Sequence, residues 1–229
     1  MPGSRHARDT SRELDARPRV SHLWRYPVKS LRGEGISEAI VGLDGVEGDR
    51  LVHVRERAGR VVTSRYRPRL LGLGATLGPD GEPLIEGRPW DAAESLAAVR
   101  AASAPDVELV RFREPDRGQR HDVLPLTVLT DGMVGALGYD HRRFRPNIFV
   151  SGVARLTERE WAGRALRIGT ALIGVRRPRS RCVMSRCPTR AADGATAGGA
   201  HAFPAGPALL LPRLGGDCRL RPSPADAPR

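Results

Sequence analysis

The sequence predicts a β-rich α+β fold with a few short helices. Three observations carry that expectation. Short β-branched or alternating segments begin at Val20 and recur through most of the 229 residues, parted by Gly, Pro and charged turns. One stretch, 91–102, has convincing helical composition. With 40% hydrophobic and 28% charged residues, the chain has the make-up of an ordinary globular protein long enough to bury a substantial core.

Taken in order, residues 1–18 are charged throughout and without periodicity, which predicts a disordered leader. They hold no apolar run of the length a signal peptide or membrane anchor needs, so a cytoplasmic location with no membrane partner is expected. VSHLWRYPVKS, ISEAIVGLDGV, DRLVHVRER and GRVVTSR then read as strands of a twisted antiparallel sheet or barrel. LLGLGATLGPDGEPLIEGRPW continues them as a hairpin turning at Pro79-Asp80-Gly81, where Pro sets one φ and Gly permits another. The helix at 91–102 has Asp91 at its start and Ala and Leu along one face. VELVRFRE and LPLTVLTD are strands, DGMVGALG is a short helix opened by Asp131, and RPNIFVSGV and ALRIGTALIGVRR are strands again. Residues 190–229 hold 6 Gly and 6 Pro and predict an irregular segment in which only ALLLPRL looks packable.

The formal charge of +12 raises the idea of a polyanionic partner. Of the 38 basic residues, however, 37 are Arg spread along the whole chain, a pattern of coding bias rather than of a binding face. Single-strand binders stack bases on aromatic rings, and ten aromatics, mostly in predicted strands or turns, argue against nucleic acid. Three cysteines, Cys182, Cys187 and Cys218, form no CxxC pair and fit free thiols. No Walker-type loop and no GxGxxG is present, so the common nucleotide folds lose weight.

Three clusters carry chemistry. Arg25-Tyr26-Pro27-Val28-Lys29-Ser30 runs a strand into a Pro-fixed turn that presents a cation, the chain's single lysine, beside a hydroxyl; that pair suits a phosphate. In Gly45-Val46-Glu47-Gly48-Asp49-Arg50, two glycines allow a tight turn before an Arg that can fork onto oxyanions. Arg143-Phe144-Arg145-Pro146-Asn147-Ile148 places a cation and an amide at the start of a strand. Each has a plainer reading: Lys29 as a solvated strand-edge lysine, Asp49-Arg50 as a turn salt bridge, Arg145 and Asn147 as strand caps, and Cys182 as an inert buried thiol. Trp161 belongs to the core. His121 and Asp122 precede a buried strand and could reach the same site.

The order YPVKS, GDR, RFRPN, EWAG with IG, then Arg181-Cys182-Val183-Met184, resembles the MOSC domain, the family of molybdenum cofactor sulfurase C-terminal domains. The resemblance spans roughly residues 20–187 and includes an N-terminal MOSC-type β-barrel portion, as in the amidoxime-reducing components. It implies a MOSC-type β-barrel with an N-terminal portion over 19–100 and a domain core over 101–189. It also implies a molybdenum-molybdopterin cofactor whose metal takes one protein thiolate, a soft ligand suited to it. On that resemblance Lys29, Ser30 and Arg50 contact the cofactor, Thr130 stands where the family has a small polar residue, and Arg145 and Asn147 hold the pterin. Cys182 is the metal ligand and catalytic cysteine, with Cys187, in Arg186-Cys187-Pro188-Thr189, as second choice. After the metal cysteine the family continues with a hydroxyl pair, where this chain has Ser185-Arg186-Cys187.

The function implied is that of a molybdenum-dependent oxidoreductase of the N-reductase type, acting on N-hydroxylated small molecules. Its electron donor is a separate reductase or ferredoxin-like protein, because the chain has no flavin, haem or iron–sulfur motif. A second expectation is a persulfide carrier for metal–sulfur centres, using Cys182 as nucleophile. Pyridoxal phosphate is not expected, since the desulfurase domain that binds it in larger sulfurases is lacking. A third class, a basic nucleic-acid-binding protein, remains as the contrast.

Overall fold

The computed structural model describes residues 18–113 and 120–178, together with the backbone of a short strand at 219–221. The fold is β-rich, with two α-helices among the described residues, as the segment punctuation predicts. Strand β1 (Arg19–Arg25) is central to one sheet: it pairs antiparallel with β2 (Glu34–Ile36) on one side and with β12 (Ile148–Ser151) on the other. β11 (Val128–Thr130) completes that four-stranded sheet, parallel to β12. β3 (Val41–Gly42) and β4 (Gly45–Val46) form a small hairpin. A second sheet orders β10 (Val107–Arg111), β5 (Val52–Glu56) and β6 (Val61–Val62). A third is the meander of β7 (Ala75–Leu77), β8 (Pro83–Ile85) and β9 (Arg88–Pro89), its first turn built on Pro79-Asp80-Gly81 with Gly81 at φ 81°. The last sheet pairs β13 (Ala165–Ile168) with β14 (Ala171–Gly174) across a two-residue turn and adds β15 (Arg219–Arg221), drawn from the Gly/Pro-rich segment.

The two helices show where local chemistry was decisive. α1 (Ala93–Ala102) starts two residues after Asp91, and its cap position, Ala92, makes no side-chain bond. The sequence places Asp91 as the opener; the structure instead fixes this end from Ser95, whose hydroxyl donates to the Pro89 carbonyl at 2.7 Å. α2 (Asp131–Leu137) is capped by Thr130, whose hydroxyl accepts from Met133 N at 3.0 Å, and ends on Gly138 in the left-handed region. Asp131 takes another task, accepting from the backbone of Gly152 at 2.7 Å and Val153 at 3.1 Å.

Among the described residues, apolar burial divides into two clusters. One gathers Leu23, Ile148, Val150, Val153, Trp161, Leu166, Ile168 and Ile173; the other gathers Val28, Leu31, Val52, Val54, Leu70, Ile85, Val99 and Val107. Trp161 is in the core as expected, and each fully buried Leu or Ile contributes roughly 2 kcal/mol. Strand β1 comes early in the sequence but packs its Leu23 with the late strands, while Val28, five residues on, belongs to the other cluster. Residues 24–27 therefore cross the seam between the two cores. Among the described residues no helix is long and apolar enough to cross a membrane.

Candidate functional site

At that seam the backbone is held in an unfavourable state. Among the described residues, five non-glycine residues have positive φ, and three of them are Ser30 (74°), Arg50 (51°) and Arg145 (51°), one in each of the three motifs singled out from sequence. A side chain with a Cβ raises the energy of the left-handed region by roughly 1–2 kcal/mol, so such residues persist where the surroundings over-determine them. Relief at Ser30, which is buried to 6% exposure, is expected to be visible. Ser30→Gly should raise stability to urea by about 0.5–1 kcal/mol, the strain removed less the extra freedom of the unfolded chain. A loss of stability in that variant would instead assign the hydroxyl a structural contact.

The three strained turns meet around Tyr26. Its ring is buried, with the Arg145 guanidinium 4.2 Å and the Arg50 guanidinium 5.4 Å from the centroid. Its hydroxyl donates to the Pro146 carbonyl at 3.1 Å, and its amide N–H donates to Asp49 Oδ1 at 2.7 Å. Asp49 is fully buried; its other carboxylate oxygen pairs with Arg50, while the Arg120 guanidinium donates to its backbone carbonyl. Lys29, adjoining Ser30, reaches Asp122 at 3.0 Å. The result is a nest of Lys29, Arg50, Arg120 and Arg145 set against the carboxylates of Asp49 and Asp122, an arrangement whose chemistry is to receive an anion.

Titration follows from burial. Desolvation raises the Tyr26 hydroxyl to about 12 although Arg145 and Arg50 both pull it down, so the ring stays a neutral spacer between two cations. Burial, reinforced by Arg50, Arg120 and Lys29, lowers the His121 imidazole to about 4.

Of the sequence-predicted residues, Lys29, Ser30, Arg50 and Arg145 sit in the three turns that meet at Tyr26. Asn147 is fully buried and uses its amide within the fold: Oδ1 accepts from Thr127 N at 3.2 Å and Nδ2 donates to the Trp24 carbonyl at 3.3 Å. Thr130 is buried as the cap of α2, and its hydroxyl donates to Glu158 Oε2 at 3.2 Å. Cys182 and Cys187 lie outside the described residues. Val123, Leu124, Arg176 and Arg177 line an open concavity of about 410 Å³. Sequence reasoning gave Tyr26 and Arg120 no individual role, and gave Asp49 only the turn salt bridge with Arg50, which the structure contains. The signal for Tyr26 was its place in YPVKS; Arg120 had none in so Arg-rich a chain.

A family model described as the MOSC N-terminal beta barrel domain matches residues 17–120, which hold Lys29, Ser30 and Arg50. One described as the MOSC domain matches residues 130–197, from Thr130 past both Cys182 and Cys187. Mitochondrial amidoxime-reducing component 1 of Mus musculus is 27% identical over 201 aligned residues, covering 62% of this chain and 58% of that relative.

Proposed function

Because the chain belongs to the MOSC family, carrying a MOSC N-terminal beta barrel domain followed by a MOSC domain, we propose that it binds a molybdenum-molybdopterin cofactor and reduces N-hydroxylated small molecules. The observation that supports this best is the convergence of strained Ser30, Arg50 and Arg145 on one nest of cations. Non-glycine residues in the left-handed region cluster at functional sites, and the ligand this charge suits is anionic, as the phosphate-bearing end of a molybdopterin is. The residues present therefore fit the group.

Lys29, Ser30 and Arg50 would hold the anionic end, Arg145 would face the pterin, and the Cys182 thiolate would complete the metal's coordination. When bound, the group supplies the two-electron redox change. The chain's own part is positional: Asp49 fixes Arg50 and the Tyr26 backbone, and Tyr26 separates Arg50 from Arg145. In the overall reaction the N–O bond breaks, two electrons arrive from a separate donor protein, two protons come from solvent, and the oxygen leaves as water. The relative's name, amidoxime-reducing component, supports that substrate class.

The test is molybdenum content of the protein made in a cofactor-competent host. Near-stoichiometric metal is expected in the wild type and in Cys187→Ala, with loss in Cys182→Ala. Metal lost only from Cys187→Ala would move the ligand five residues on. A wild type without metal would refute the cofactor reading, and labile sulfur on Cys182 would then identify a persulfide carrier.

A further inference from the structure

Among the described residues, only His121 has two buried side-chain nitrogens that make no hydrogen bond of normal geometry. It stands in the same nest. Arg50, Arg120 and Lys29 all disfavour a charge on its ring, and the Asp44 backbone favours it slightly. The nearby carboxylates are engaged with other groups: Asp122 with Lys29, and Asp49 with Arg50 and the Tyr26 amide. With the Asp44 backbone its one hydrogen-bonding neighbour, and that contact short of normal geometry, the imidazole keeps at least one ring nitrogen unused, at a cost in free energy that a ligand removes.

We propose that His121 is a further ligand of the doubly charged oxyanion group taken by this nest, neutral in the free protein and protonated from solvent when the oxyanion binds. This rests on reading the nest as an anion site. A dianion offsets the three cations that keep the ring uncharged, and both ring nitrogens then become donors, at least one of them to the oxyanion. Burial and the three cations hold the imidazole down at about 4 in the free protein, and the dianion raises it, so on this proposal the bound state holds more protons than the free state as pH falls from neutral. Binding therefore strengthens on acidification, until the free imidazole is itself charged.

Sulfate is the probe, because it stays doubly charged through this range and any pH dependence then belongs to the protein. The full chain prepared without cofactor is titrated calorimetrically in two buffers of different ionisation enthalpy, and its histidine ring signals are followed by NMR. The wild type should take up close to one proton per sulfate at mildly acidic pH and bind several-fold more tightly there than at neutrality. The His121 signal should move from its low midpoint towards neutrality when sulfate is added. His121→Gln should bind with no proton uptake and a flat pH profile. Equal proton uptake in His121→Gln, or a His121 midpoint that sulfate does not move, overturns the proposal. If Arg50→Ala alone abolishes sulfate binding and His121→Gln changes nothing, the nest remains an anion site without this ligand. If the wild type binds no sulfate, the proposal falls, while molybdenum content independently judges the cofactor reading. In cofactor-loaded protein, a charged His121 at neutral pH identifies the cofactor's own phosphate as the oxyanion; if it stays neutral there but is charged when a free phosphate ester is added, the ester is the oxyanion, and if neither charges it the proposal falls.

Discussion

Asp49→Ala is expected to be the most damaging single substitution at the site, lowering stability by about 3 kcal/mol and, for a domain of this size, the Tm by about 10 °C. Two losses add. The Tyr26 amide, buried at the seam, loses its 2.7 Å acceptor, and the Arg50 guanidinium, only 13% exposed, loses its carboxylate. An unpartnered buried donor and an uncompensated part-buried charge each carry a penalty of the kcal/mol order. Asp49→Asn separates the two. Its side-chain oxygen can still accept from the Tyr26 amide while the charge is gone, so it should lose roughly half as much. The Arg120 contact is to the Asp49 backbone carbonyl and survives in both variants. Chemical denaturation of the three proteins measures this directly. An Asp49→Ala variant within about 0.5 kcal/mol of wild type, the range of ordinary surface changes, would show that the seam is not organised by this carboxylate.

Why the carboxylate outranks the cations could not have been read from the chain. The sequence offers Asp49-Arg50 as a turn salt bridge or as a cofactor-contacting Arg, and the structure contains the pair in either case. What decides its importance is the Tyr26 amide, 23 residues earlier, and that contact exists because β1 leaves one core and enters the other there. The elements that sequence did reveal are those with local causes. The Pro79-Asp80-Gly81 turn, the helix ending at Ala102, the β10 alternation and the β13–β14 pair each follow from turn chemistry or periodicity within a dozen residues. Strands of two residues, such as β3, β4 and β9, are too short to show a period. The apolar run predicts a strand opening at 124–127, and it starts only at Val128. Thr127 instead accepts on its carbonyl from the Asn147 and Ile148 amides and donates its own N–H to the Asn147 side chain, a partner 20 residues away. The pairing of β1 with β12 spans well over a hundred residues and has no local signature.

The same distinction appears at Gly33, which carries no motif and drew no notice in the sequence. A Cβ built on it would fall inside contact distance of the Arg25 carbonyl oxygen and the Tyr26 ring, with Cε1 at 2.8 Å. The backbone just before β2 therefore runs against Tyr26 because no side chain intervenes. Gly33→Ala should cost about 2–3 kcal/mol, since the obstacle is partly backbone and cannot rotate away. The structure supplies its own control two residues on. At Gly35, within β2, nothing lies within 4 Å of the added methyl, so Gly35→Ala should be neutral or slightly stabilising. The clash also has a functional reading, because a displaced Tyr26 ring no longer holds Arg50 and Arg145 on either side of it. Gly33→Ala should therefore lose affinity for sulfate at the cation nest even below its unfolding temperature, while Gly35→Ala keeps it. Equal stability and equal anion binding in the two variants would mean that Tyr26 is not the element that sets the spacing of the two guanidiniums.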